Sequence, residues 1–134
     1  MATTDTHSEI EEYLGQVPSW MGEISEPATD HSWGIMRDLL LGETELSGRE
    51  KALVGLGAAA AIQCPYCTYF HQEEAKLAGL NDVELTEAIN VSGTTRYFST
   101  VLHGARVDED QFVDEMGDVF DHLENQQAAA AGDD

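Results

Sequence analysis

The stretch Ser47-Gly48-Arg49-Glu50-Lys51-Ala52-Leu53-Val54-Gly55-Leu56-Gly57-Ala58-Ala59-Ala60-Ala61-Ile62-Gln63-Cys64-Pro65-Tyr66-Cys67-Thr68-Tyr69-Phe70-His71 decides how this chain is read. Ser47 followed three residues later by Glu50 is a capping-box pattern and predicts that a helix opens there. That helix carries Leu53, Leu56, Ala60 and Ile62. Its Gly55, Gly57 and four consecutive alanines leave a smooth surface that another backbone can approach closely. Proline is favoured at the first position of a helix, so a second helix is expected to begin at Cys64-Pro65 and to stop at Gly79.

Outward from this stretch the pattern stays helical. Ile10, Tyr13 and Leu14 hint at a short N-terminal helix, and Trp33, Met36, Leu39 and Leu40 recur at helical spacing before Gly42. Asn81 and Glu84 can cap a helix that runs through Val91 and Phe98 to about Leu102, with Gly104 after it. Asp108 can open the last helix, whose apolar face is Phe112, Val113, Met116, Val119, Phe120 and Leu123. No segment alternates with period two. The expected fold is all-α, about six helices in one domain over 1–134, with its core at about 31–124. Pro18 and Pro27 fall in a stretch, about 17–30, expected to be irregular. The polar N-terminus and the tail 125–134 are expected to be loosely held. Trp33, Phe70, Tyr97 and Phe98 read as core or subunit-interface aromatics.

Composition narrows the partners. The chain has 134 residues, 42% of them apolar, which suffices for one core. Its 26 acidic residues against 6 basic ones give a net charge of −20, which repels phosphate and so argues against nucleic acid and anionic membranes. Lysine is represented by Lys51 and Lys76 alone. In ordinary cytoplasm such a surplus costs stability through self-repulsion, whereas multimolar salt screens it within about 3 Å. The expectation is a protein of a salt-in halophile. The N-terminus lacks the basic and apolar runs of a targeting segment, and the longest apolar run, Ala52 to Ile62, is too short to span a bilayer. These features predict a soluble, cytoplasmic protein, where a lone CxxC is catalytic or metal-binding rather than a structural staple.

With Pro65 first in its helix, Cys64 takes the N-cap and Cys67 the first turn. Free backbone N–H groups and the positive end of the helix dipole then favour thiolate. CxxC spacing lets the two sulfurs meet across one turn and close a disulfide. His71, four residues after Cys67, shares its helix face and can act as a base. A zinc site would need a second close ligand pair, and His7, His31, His103 and His122 are scattered, so no metal is expected. No glycine-rich phosphate loop or nucleotide fingerprint is present. No cofactor is therefore expected, and electrons must come from a small thiol or a partner protein.

Leu46 to Lys51, the small apolar helix to Ile62, Cys64-Pro65-Tyr66-Cys67, His71, Ala75, Gly79 and Leu80 to Leu85 together resemble the carboxymuconolactone decarboxylase/AhpD-like family. The resemblance covers about 46–89, with weaker similarity through His103-Gly104. It implies an all-helical fold assembled into homotrimers or hexamers, and alkylhydroperoxidase or disulfide reductase activity on a small-molecule hydroperoxide. It also implies that Cys67 is oxidised to sulfenic acid, that Cys64 donates a proton and resolves it, and that His71 relays protons. Two positions depart from the family pattern. The relay glutamate twelve residues before the first cysteine is Ala52 here, and the histidine just before the second cysteine is Tyr66. Glu50, Glu74 or the Tyr66 phenol is expected to substitute, or peroxide turnover is poor. The alternatives are a catalytically weak oligomeric thiol–disulfide sensor or scaffold, and a decarboxylase-like small-molecule enzyme. The family's true decarboxylases do not rely on a CxxC pair, so both thiols argue against the last.

Overall fold

The computed structural model describes residues 2–132. Six α-helices are present among the described residues: α1 (Ala2–Leu14), α2 (Glu26–Gly34), α3 (Gly48–Ala61), α4 (Pro65–Leu77), α5 (Asp82–Gly104) and α6 (Glu109–Ala131). A 3₁₀ turn at Ser19–Glu23 precedes α2, and a π-helical segment at Ile35–Leu40 continues it. No described residue is in a strand, so the all-α expectation holds. No described helix is long and apolar enough to cross a membrane.

Helix ends form where the sequence supplies the caps. Ser47 Oγ accepts the Glu50 N–H at 3.1 Å while Glu50 Oε2 accepts the Ser47 N–H at 2.7 Å, completing the predicted box at α3. Asn81 and Glu84 exchange the same pair of bonds at 2.9 Å each before α5, and Asp108 Oδ1 accepts the Gln111 N–H at 2.9 Å to start α6. Gly79, at φ +90°, closes α4 with Gly79 N–H to Lys76 O and Leu80 N–H to Ala75 O, both 3.0 Å, the left-handed double bond of a Schellman motif.

Three expectations differ. The stretch 17–30 is not irregular throughout, because Pro27 sits in the first turn of α2, where its missing N–H costs nothing. Leu39 and Leu40 belong to a π-helical segment rather than a regular α-turn. There the buried Lys51 ammonium donates to Leu39 O at 2.6 Å and Gly42 O at 2.8 Å, gathering carbonyls that the helix end leaves unpaired. The tail from 125 is helical rather than irregular, α6 continuing through the alanine run to Ala131, alanine being the strongest helix former. Asp133 and Asp134, also assigned to that tail, lie outside the described residues.

The chain divides into two compact units, Met1–Ser92 and Gly93–Asp134. In the first, buried residues form two clusters instead of one core. Ile10, Met21 and Trp33 make one, flanked by Val17 and Met36, so the N-terminal segment contributes core that was expected to begin near 31. Trp33 Nε1–H donates to Glu9 Oε2 at 3.1 Å, and Arg37 Nη1 reaches Glu9 Oε1 at 2.9 Å. Ala52, Leu56, Ala75, Leu80 and Leu85 make the other cluster, which joins α3, α4 and the start of α5. Arg49 pairs with Glu84, and Ser92 Oγ–H donates to Gly57 O at 2.8 Å, adding polar ties between α3 and α5. In the second unit no described side chain is fully buried, and Val113, Val119, Phe120 and Leu123 of α6 stand exposed.

Candidate active site

The cysteines are positioned by two helix ends that share one short connector. α3 closes with Gln63 in the left-handed region at φ +58°. Gln63 N–H donates to Ala60 O at 3.2 Å and Cys64 N–H to Ala59 O at 3.1 Å, again the Schellman pattern. Cys64 is thus the last residue of one motif and the N-cap of the next, with extended backbone at φ −91° and ψ 109°. Its sulfur accepts the Cys67 backbone N–H at 3.2 Å, a bond a serine or aspartate cap would ordinarily take. Cys64 thus takes the N-cap and Cys67 the first turn of α4, as the position of Pro65 predicts. Both are free thiols and half-buried.

The two sulfurs differ in acidity. The Cys67 thiol and then the Cys67 backbone N–H, both bonding to Cys64, hold the Cys64 thiol below its ordinary value against a smaller opposing effect of partial burial. The Cys67 thiol is pushed up, first by donating to Cys64, then by partial burial and by the neighbouring negative charge. Ionisation is therefore favoured at Cys64 over Cys67.

His71 lies one turn further along α4, as the spacing predicts, but its hydrogen bond goes elsewhere. Nδ1 meets Glu74 Oε1 at 3.2 Å, and both side chains are largely enclosed, at 16% and 12% exposure. Phe70 stands edge-on to the ring with centroids 5.2 Å apart. The other flank of the imidazole is α3 itself. A Cβ at Gly55 would fall within 2.7 Å of His71 Cγ and nearer still to Nδ1 and Cε1. The gap at Gly55, read from sequence as room for a backbone, is filled by this ring. Nothing local announces that pairing, since the two residues lie on different helices. The signal was a glycine inside an otherwise alanine-rich helix.

The proposed stand-ins for the relay acid separate clearly. Glu50 is exposed and held in the α3 capping box. Tyr66 is 85% exposed, so its phenol points to solvent. Glu74 alone of the three contacts His71, and its second oxygen, Oε2, is buried without a hydrogen-bond partner. Ala52, where the relay glutamate would stand, is fully buried in the apolar cluster of α3, α4 and α5. Among the described residues no group of three or more His, Cys, Asp and Glu side chains is arranged to hold a metal ion.

A helix-capped dithiol followed one turn later by an enclosed imidazole–carboxylate pair has the parts for thiol redox chemistry: a thiol whose ionisation is favoured, a second thiol on the same turn to close a disulfide, and a basic side chain on the same helix. A search of the curated proteins finds no match. The crystal structure of a protein from Methanobacterium thermoautotrophicum is similar, with 31% identity and a TM-score of 0.55 over 66% of this chain and 97% of that one. The sequence pattern of the carboxymuconolactone decarboxylase family matches residues 26–110, which contain both cysteines, His71 and Glu74. By that match, the chain belongs to the carboxymuconolactone decarboxylase family.

Proposed function

We propose that this protein is a thiol-dependent oxidoreductase that reduces an organic hydroperoxide or a disulfide with the Cys64–Cys67 pair. A small thiol or a partner protein then restores the dithiol. The observation that carries the reading is the pairing at the head of α4, where the Cys64 sulfur accepts the Cys67 N–H at 3.2 Å and its ionisation is favoured over that of Cys67. Toward a hydroperoxide, the Cys64 thiolate takes the Cys67 proton and the Cys67 sulfur attacks the terminal peroxide oxygen. The O–O bond breaks, and the proton passes from Cys64 to the leaving alkoxide, giving an alcohol and Cys67 sulfenic acid. The Cys64 thiolate then attacks the sulfenic sulfur. An S–S bond forms, and hydroxide leaves and takes a proton from solvent to become water. Toward a disulfide substrate, the Cys64 thiolate is itself the nucleophile, and Cys67 releases the mixed disulfide.

Such a cycle fits a reducing compartment such as the cytoplasm. The exposed stripe of Val113, Val119, Phe120 and Leu123 supports assembly of several copies, because monomers seldom leave an extended apolar stripe in water. A second reading, a thiol–disulfide sensor without turnover, draws on one contact: His71 bonds Glu74 rather than either thiol. One experiment separates the two. Reduced protein is mixed with cumene hydroperoxide and excess dithiol in high salt, and peroxide loss is followed beside the mass of the Cys64–Cys67 disulfide. Turnover well above that of the free dithiol, abolished by Cys67→Ser, is expected of the enzyme. Disulfide formation without such turnover supports the sensor. Equal peroxide consumption by Cys67→Ser and wild type overturns the oxidoreductase assignment.

A further inference from the structure

A chain with 26 acidic residues in 134 offers few approaches free of negative charge, and the longest runs through the dithiol. Between Lys51 and Glu73 there is no Asp, Glu, Lys or Arg, and no other gap between charged residues is as long. On the inner side of α3 that follows from burial, since Ala52, Leu56 and Ala59 face the interior. The exposed positions are the informative ones, because acid would cost nothing there. Ile62, Tyr66 and Tyr69 instead stand 70%, 85% and 69% exposed, with Gln63, Pro65 and Phe70 also open to solvent. Ile62 lies two residues before Cys64, and Tyr66 and Tyr69 lie within about 3 Å of Cys67 along the axis of α4, at a rise of about 1.5 Å per residue.

The make-up of this face points to its occupant. Faces that close permanently between copies are strongly apolar, as on α6, where Val113, Val119, Phe120 and Leu123 have no polar end. Tyrosine joins an apolar body to a wet hydroxyl, so it can meet a partner and return to water. A small thiol would touch only the sulfurs and a few atoms beside them. A protein donor must press its surface against everything around the sulfurs, and elsewhere on this chain it would meet carboxylates. We propose that Ile62, Tyr66, Tyr69 and Phe70 form the docking surface for a redox protein that presents its own dithiol on an uncharged face and reduces the Cys64–Cys67 disulfide. This role rests on the oxidoreductase reading above. A donor thiolate attacks the Cys67 sulfur, the Cys64–Cys67 bond breaks, and Cys64 leaves as thiolate. The donor's second sulfur, deprotonated, then attacks the first, its own disulfide closes, and Cys67 is released. The two thiol protons of the donor end on Cys64 and Cys67, so the donor is oxidised by two electrons and this protein is reduced by two.

Reduced thioredoxin is a probe of that partner class, and dithiothreitol is the small-thiol reference. The oxidised full chain is mixed with each in high salt, and loss of the disulfide is followed by acid quench, alkylation and mass. Wild type is expected to react at least about 10-fold faster per mole with thioredoxin than with dithiothreitol. The double variant Ile62→Ser, Tyr69→Ser should lose about 10-fold or more of the thioredoxin rate and keep its dithiothreitol rate within about two-fold. Leu77→Ser, an exposed position on α4 beyond the uncharged stretch, should match wild type with both. Faster reduction of wild type by dithiothreitol, an unchanged thioredoxin rate in the double variant, equal losses with both reductants, or an equal loss in Leu77→Ser overturns the docking surface. Light scattering of the double variant should give the wild-type particle size, and a smaller particle would make this face a contact between copies and overturn the proposal. Peroxide turnover with dithiothreitol as donor stands apart from these arms. Turnover well above that of the free dithiol upholds the oxidoreductase reading even if docking fails, and turnover no greater overturns both.

Discussion

Replacing Gly55 with alanine asks a single methyl group to occupy the seat of the His71 ring. The added Cβ would lie 2.7 Å from His71 Cγ and closer to two other ring atoms. Carbon atoms in ordinary contact stand about 3.5–4.0 Å apart, so the ring must retreat by roughly 1 Å. The His71–Glu74 bond is already at 3.2 Å, the long end of the hydrogen-bond range, and a retreat of that size breaks it. Overpacking costs about 1–3 kcal/mol and the lost bond about 1 kcal/mol. Alanine's advantage over glycine inside a helix returns roughly 0.5–1 kcal/mol. The net expectation is a loss of about 1–3 kcal/mol, together with slower dithiol oxidation. Gly57 provides the control on the same helix, because a Cβ there meets no atom within 4 Å. Gly57→Ala should therefore gain about 0.5–1 kcal/mol and oxidise at the wild-type rate. Urea unfolding and stopped-flow thiol oxidation of both variants measure the contrast. If Gly55→Ala is as stabilising as Gly57→Ala and equally fast, the His71 ring is not seated against α3 and the reasoning fails.

Further outcomes can be checked with the same protein. Because Cys64 is held below the ordinary thiol value and Cys67 above it, alkylation by iodoacetamide should reach Cys64 first as pH rises; Cys67→Ala removes the largest favourable contact and should shift the Cys64 labelling midpoint upward, by peptide mass spectrometry. Gln63 at φ +58° bears the left-handed penalty of roughly 1–2 kcal/mol, so Gln63→Gly should stabilise by about 0.5–1 kcal/mol after glycine's entropy loss, and a lower unfolding midpoint would contradict that strain. With a net charge of −20, dilution from molar to 0.01 M salt stretches the Debye length from about 3 to about 30 Å, so both melting temperature and assembly size should fall; Phe120→Asp, placing a charge on the exposed α6 stripe, should give monomers in light scattering even at high salt.

Features governed by local chemistry were legible in the chain. Ser47, Asn81 and Asp108 each cap the helix predicted from them, and Cys64 caps α4 because proline follows it. What escaped depends on partners distant in sequence. The π-helical turn before Gly42 is tied to Lys51, nine and twelve residues away. Gly55 looked like a contact for a neighbouring helix backbone because glycine signals only that something comes close, not what comes. Among Glu50, Glu74 and Tyr66, sequence spacing could not choose, for all three lie near the cysteines along the chain. Burial separates them, with Glu50 spent on its capping box and Tyr66 turned to water. The alanine run before Gly132 is the exception, a local signal: it lacks an apolar face but has high helix propensity, and α6 runs through it.

Lys51 has a practical meaning of its own. It and Lys76 are the chain's two lysines, and Lys51 is only 8% exposed, its ammonium occupied by Leu39 O and Gly42 O. Acylating reagents and amine crosslinkers will consequently meet Lys76, which extends toward Glu73 at the surface, and pass over Lys51 in the folded state. An acyl group on Lys51 records a moment when the joint between the π-helical turn and α3 came apart. Pulsed acylation read by peptide mass thus turns this residue into a built-in reporter of local opening, and Lys76 into its internal reference.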